Sequence, residues 1–95
     1  MEELDPLLHS QLRLAVMSLL LSVDEADFVY LKEKTDSTSG NLSVQLEKLS
    51  AAGYISKETD GSGAKARTVC RMTDVGRAAM QKYVEALKTY FSALK

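Results

Sequence analysis

Two stretches of this chain carry side chains whose types and spacing suit recognition of a nucleic acid. The first, STSGNLSVQLEKLSAAGYI over residues 37–55, crowds small polar residues at its front. Read as a helix at about 100° per residue with Leu42 turned inward, it points Gly40, Val44, Glu47 and Ala51 outward, flanked by Asn41, Ser43 and Lys48. Asn41 and Gln45 carry the paired donor and acceptor that match N6 and N7 of adenine, Gln45 lying nearer the inward edge. Val44 suits a thymine methyl, and Gly40 admits close approach of the helix. Thr38, Ser39 and Ser43 suit phosphate oxygens, helped by the free N–H groups of a helix start. In the second stretch Lys65 and Arg67 flank the turn at Gly61-Ser62-Gly63, where they can reach phosphates or a minor groove, with Lys57 as a supporting charge.

Each of these residues also has an ordinary role. Ser and Thr at a helix start are commonly caps, and exposed amides are commonly just solvated. The balance tips on the first turn, which holds small polar residues and no acid; Glu47 comes later. An ordinary surface helix would place Asp or Glu there to meet the helix dipole. Arg13, on the first helix among apolar neighbours, reads as a brace for the fold, Arg71 as a partner for an acid, and His9 as a helix-start hydrogen bonder. Cys70 reads as a half-buried strand residue. Catalysis finds no support: there is no nucleophile–base–acid set and no phosphate-cradling loop. One His and one Cys cannot make a zinc set, so neither metal nor cofactor is expected.

The 95 residues fit one domain with a modest core that leans on a partner subunit. A hydrophobic share of 45% with 26% charged residues excludes disorder over most of the length. No run approaches the roughly 18 apolar residues of a membrane span. The acidic MEELDPLL start lacks the basic region of a secretory signal, and the single Cys70 suits a reducing compartment, so a cytoplasmic protein is expected. A net charge of −1 argues mildly against nucleic acid until its distribution is read. Residues 1–36 hold three Lys/Arg against eight Asp/Glu, whereas residues 61–82 hold five Lys/Arg against Asp74 alone. A local basic stretch can touch phosphates on a near-neutral chain.

The elements that must position these residues are readable in order. Leu8, Leu12, Ala15, Val16, Leu19 and Leu20 predict a first helix over 7–22. A second, over 27–35, is capped by Asp27 and buries Phe28 and Leu31, with room for a brief strand at 24–27. Thr35-Asp36-Ser37 is a connection of helix-turn-helix length. The third helix, 38–52, buries Leu42, Leu46 and Leu49 and closes at Gly53. A hairpin over 54–72 turns at Gly61 and Gly63, with Val69 and Arg71 on one face and Thr68, Cys70 and Met72 on the other. A last helix, 73–94, starts at Thr73-Asp74. It carries Met80, Tyr83, Leu87, Tyr90 and Leu94 at coiled-coil spacing. About 20 residues make a helix roughly 30 Å long, which overhangs so small a core and is expected to pair with a second copy. The expected fold is α+β: one winged helix-turn-helix domain over 1–95, a three-helix core plus a β-hairpin wing, with a long C-terminal dimerisation helix.

Four patches together resemble the small single-domain winged-helix regulators related to the MarR and ArsR families. They are LDPLLHSQLRLAVMSLL, TSGNLSVQLEKLSAAGYI, the wing with its Arg-Thr, and the Thr-x-x-Gly-Arg entry to the last helix, where Met72 replaces a Leu. The resemblance implies a homodimer held by the terminal helices that binds two-fold-symmetric DNA and regulates transcription. It carries the DNA contacts to Ser39, Asn41, Val44 and Gln45 and to Lys65 and Arg67. Many relatives have a basic residue where Val44 stands, so this helix is less charged than theirs. The cysteine pairs that some ArsR relatives use for metals are absent. The alternative expectation is a winged-helix protein–protein interaction module without DNA binding, which a net negative chain would also suit.

Overall fold

Helix α1 spans Gln11–Leu21 in the computed structural model, which describes residues 3–93. It starts later than the expected 7–22 because Asp5 organises a turn ahead of it. The Asp5 carboxylate accepts from Leu7 N at 2.9 Å, and its carbonyl accepts from Leu8 N at 3.1 Å and His9 N at 2.9 Å. Ser10 is then extended (φ −149°, ψ 131°), which interrupts any continuous helix. Leu8 is nonetheless fully buried, so its apolar signal came from core packing in a turn. His9 is not a helix-start bonder: its Nδ1 pairs with the Tyr83 hydroxyl at 3.0 Å.

Strand β1 is Ala26–Asp27, and α2 follows directly as Phe28–Thr35. The Asp27 carboxylate caps α2 by accepting from Tyr30 N at 2.8 Å. The helix closes through a left-handed Asp36 (φ 53°), with Ser37 N donating to the Lys32 carbonyl and Asp36 N to that of Glu33, both at 3.3 Å. Helix α3, Ser39–Ala51, is capped at its front by Thr38, whose hydroxyl accepts from Asn41 N at 3.1 Å. Gly53 (φ 79°) closes it with the same pair of bonds, Tyr54 N to Leu49 O and Gly53 N to Ser50 O, each at 3.0 Å. Leu42, Leu46 and Leu49 line its inner face against Val16, Met17 and Leu20 of α1 and Leu31 of α2. Each buried leucine contributes about 1.5–3 kcal/mol of transfer free energy.

Strands β2 (Ile55–Asp60) and β3 (Arg67–Met72) form an antiparallel ribbon, in register from Ile55 opposite Met72 to Asp60 opposite Arg67. The other edge of β3 takes β1, with Ala26 opposite Cys70, so the sheet order is β1-β3-β2. The ribbon tip is a single 3-10 turn, Gly63–Lys65. Both Val69 and Cys70 are buried, Cys70 completely, although they point to opposite faces. The half-buried expectation for Cys70 fails because β3 is the central strand and packs against both α1 and α2.

Helix α4, Asp74–Ala93, is fixed to this core at its first turn. The Thr73 hydroxyl donates to the Gly53 carbonyl at 2.5 Å and accepts from Gly76 N at 3.0 Å, and Thr73 N donates to Tyr54 O at 3.1 Å. Gly76 lies so close to β2 that an added Cβ would sit 2.0 Å from Tyr54 O. Further along, Met80, Tyr83 and Ala86 are buried. A helix of 20 residues, about 30 Å long, explains why the molecule measures 54 Å one way and 25 and 21 Å the others. Among the described residues no helix is long and apolar enough to cross a membrane.

Candidate nucleic-acid interface

The outward face of α3 is open over its N-terminal half. Ser39, Gly40, Asn41, Ser43, Val44 and Lys48 are all exposed, and the first turn contains no acid. The Thr38 side chain takes the N–H of Asn41 alone, and a helix start leaves further N–H groups without an intrahelical partner. A Cβ at Gly40 would meet nothing within 4 Å, so packing does not demand glycine there. Gln45 is only partly buried and is engaged on both sides. It accepts from Arg13 Nη1 through Oε1 and donates from Nε2 to Asn41 Oδ1 at 2.9 Å. Behind Val44 the helix faces β2 across an ion pair, Lys57 Nζ to Glu47 Oε2 at 2.5 Å.

The cations of the ribbon are engaged to different degrees. Lys65 is exposed at the tip with no carboxylate partner among the described residues. Arg67 is held by two acids, Asp27 at 3.1 Å and Asp60 at 3.3 Å, and these hydrogen bonds push its pKa above the ordinary arginine value. Arg71 pairs with Glu25 at 2.7 Å and Glu58 at 3.6 Å, the structural role its sequence context suggested.

Residues 12–91, which hold the three-stranded sheet with its ribbon and nearly all of the four helices, match the family described as winged helix DNA-binding domain. The chain belongs to that family. A relative in Methanocaldococcus jannaschii, itself described as uncharacterised, is 32% identical over 76 residues, which are 80% of this chain and 83% of the relative. Among solved structures, a transcriptional regulator homologue from Pyrococcus horikoshii superposes with a TM-score of 0.85 at 27% identity, covering 94% of this chain and 88% of that one. A MarR-family regulator from Silicibacter pomeroyi shares the fold at 19% identity and a TM-score of 0.72, over 93% of this chain and 58% of that one. The winged helix with its long C-terminal helix shares the MarR-like winged-helix fold, with α2 and α3 as its helix-turn-helix and the β2–β3 ribbon as its wing.

The C-terminal helix divides the expected seam. Met80 and Tyr83 are 3% and 4% exposed, in the domain's own core, and Leu87 packs partly against it. They face inward because the helix is anchored at Gly76, and the same face continues through Met80 and Tyr83. Tyr90 is partly buried, and Leu94 lies outside the described residues. The apolar side chains that α4 shows to solvent are Val75, Val84 and Phe91, which the coiled-coil spacing passed over. Sequence reasoning also missed the tie between Arg13 and Gln45. Its only local sign was a cation placed inside an apolar helix face.

Proposed function

We propose that the protein is a homodimeric transcriptional regulator that binds double-stranded DNA sequence-specifically in the cytoplasm. The recognition helix enters the major groove and the wing rests on the backbone or minor groove. One observation carries the reading: an open, acid-free N-terminal half of α3 with small polar side chains on its outward face. Thr38, Ser39 and Ser43 meet phosphates, Asn41, Val44 and Gln45 meet base edges, Gly40 permits close approach, and Lys48 borders the groove. Lys65 and Arg67 are the wing contacts. The Arg67 ion pairs lie at the surface, where solvent and salt weaken them, so phosphate oxygens can replace the two carboxylates. The Pyrococcus relative, described as a transcriptional regulator homologue, supports the regulatory role. Two copies would join along α4 through Leu87, Tyr90, Val84 and Phe91, at the end that overhangs the core. The mechanism calls for no catalytic residue, metal or cofactor.

A second reading, a winged helix that docks a protein, is favoured by the wing's internal pairing: Lys57, Arg67 and Arg71 all face acids. A salt series on a duplex selected from a random library separates the two. DNA binding predicts log K falling linearly with log salt, and Lys65→Ala lowering the slope by about one unit at every sequence. Absence of duplex binding at low salt would instead leave the docking reading standing.

A further inference from the structure

The recognition pair Asn41–Gln45 is tied to α1 by hydrogen bonds that decide which end of each amide faces outward. Arg13 Nε donates to the Leu7 carbonyl at 2.5 Å, which holds the guanidinium in place, and Nη1 donates to Gln45 Oε1. A guanidinium offers N–H donors and no acceptor, so the Gln45 atom facing it has to be the carbonyl oxygen. The Gln45 amide nitrogen is thereby turned toward Asn41, where Nε2 donates to Oδ1 at 2.9 Å. Both carbonyls point back along this chain toward Arg13. Each carbonyl already accepts one bond within the chain, and the groups left wholly free for a partner are N–H groups: both hydrogens of Asn41 Nδ2 and the second hydrogen of Gln45 Nε2.

We infer that Arg13 is a positioning residue that polarises the recognition helix, making Asn41 and Gln45 a donor pair that reads guanine. Free amides would match adenine, whose N6 donates beside an accepting N7. A donor pair instead meets the N6 amino hydrogens of adenine head-on. Guanine presents N7 and O6, two acceptors side by side, and satisfies both donors. Two neutral side chains thus act on a base edge as an arginine would, with the charge kept behind them on α1. This inference rests on the DNA-binding reading and goes further by naming the base and the residue that sets it.

The test uses the full chain and a site selected from a random duplex library. Asn41→Ala, by erasing preference at one base pair, identifies the position that Asn41 reads. Affinities are then measured on duplexes with guanine or adenine there, for the wild type, Arg13→Met, Gln45→Met and Arg13→Lys. Wild type should prefer guanine by about tenfold, within the usual discrimination of paired groove contacts. Either methionine variant should bring the ratio to about twofold or less, whereas lysine, also a pure donor, should keep most of it. Gln45→Met removes the second donor of the pair without touching α1, so the test of guanine reading does not depend on Arg13→Met folding, while Arg13→Lys against Arg13→Met reads the positioning role. A purely structural role for Arg13 would weaken both duplexes equally and leave the ratio alone. Adenine at the Asn41 position, or a guanine preference that survives both methionine variants, overturns the inference by itself. A library from which the wild type retains no duplex at low salt overturns the DNA-binding reading and this inference with it.

Discussion

Residue types on α3 were legible in the sequence; their coupling was not. Asn41 and Gln45 sit four apart, within the reach of helical periodicity, but Arg13 lies 32 positions from Gln45 and meets it only once α1 packs on α3. The charge of Arg67 was plain, and its two carboxylate partners came from β1 and β2, the strands on either side of β3, which only strand pairing brings together. Gly40 gives the simplest residue-scale test. Its absent side chain would meet nothing within the domain, so Gly40→Ala should raise stability by up to about 1 kcal/mol through helix propensity. If the helix seats closely in a groove, the same methyl should weaken duplex binding; a stabilised variant with unchanged affinity would rule out close approach at Gly40. Tyr54 supplies a pH test. Its hydroxyl donates to Asp5 at 2.5 Å, and that bond, then burial, then the Asp5 charge push its pKa from 10.0 up to about 12. The fold favours the neutral phenol, so its contribution is complete below pH 10.0 and is lost as pH rises toward about 12. Melting curves should show wild type and Tyr54→Phe converging across that window; a constant gap would mean that ionisation of Tyr54 is not linked to folding.

Elements with chemical marks at both ends were readable, and those without were not. Helix α3 has Thr38 before it and Gly53 after it, and the structure uses both, one as a cap and the other as a left-handed closure. Helix α1 is preceded by Ser10, but that side chain makes no cap bond. Leu8 continues the apolar rhythm while belonging to a turn, so periodicity alone extended the helix too far. Burial and helicity coincide often enough to be confused, and only the hydrogen bonds to Asp5 separate them here. The contact of α4 with Tyr54 was not legible either, because the Thr-x-x-Gly-Arg entry marked Gly76 without saying what packs against it. Its Cβ would lie 2.0 Å from a backbone oxygen that cannot swing aside. Gly76→Ala should therefore cost on the order of 1–3 kcal/mol despite the better helix propensity of alanine. Chemical denaturation reads this directly, and a variant as stable as wild type would show that α4 can back away from Tyr54 freely.

At the scale of the whole molecule, the overhanging helix poses the remaining question: what covers its exposed apolar side chains. The 3.5-residue repeat pointed to Met80, Tyr83, Leu87, Tyr90 and Leu94, but the domain's own core buries the first two and takes the third in part. A repeat along one helix cannot say whether its stripe faces the same chain or another. Burial can: Val84 is 41% and Phe91 65% exposed, seven residues apart and so on nearly the same side of α4. Side chains of this kind each gain about 1.5–3 kcal/mol on full burial, and a two-fold interface counts each one twice. Glutamate at both positions would replace that gain with charges brought together across the symmetry axis. The paired substitution Val84→Glu with Phe91→Glu should give monomers in sedimentation. Its circular dichroism and melting should remain those of a folded domain, since neither side chain belongs to the core. Binding to a two-fold site should fall toward that of a single half-site. A dimer that persists in this variant would place the subunit contact elsewhere, and the exposed stripe on α4 would then need a different occupant.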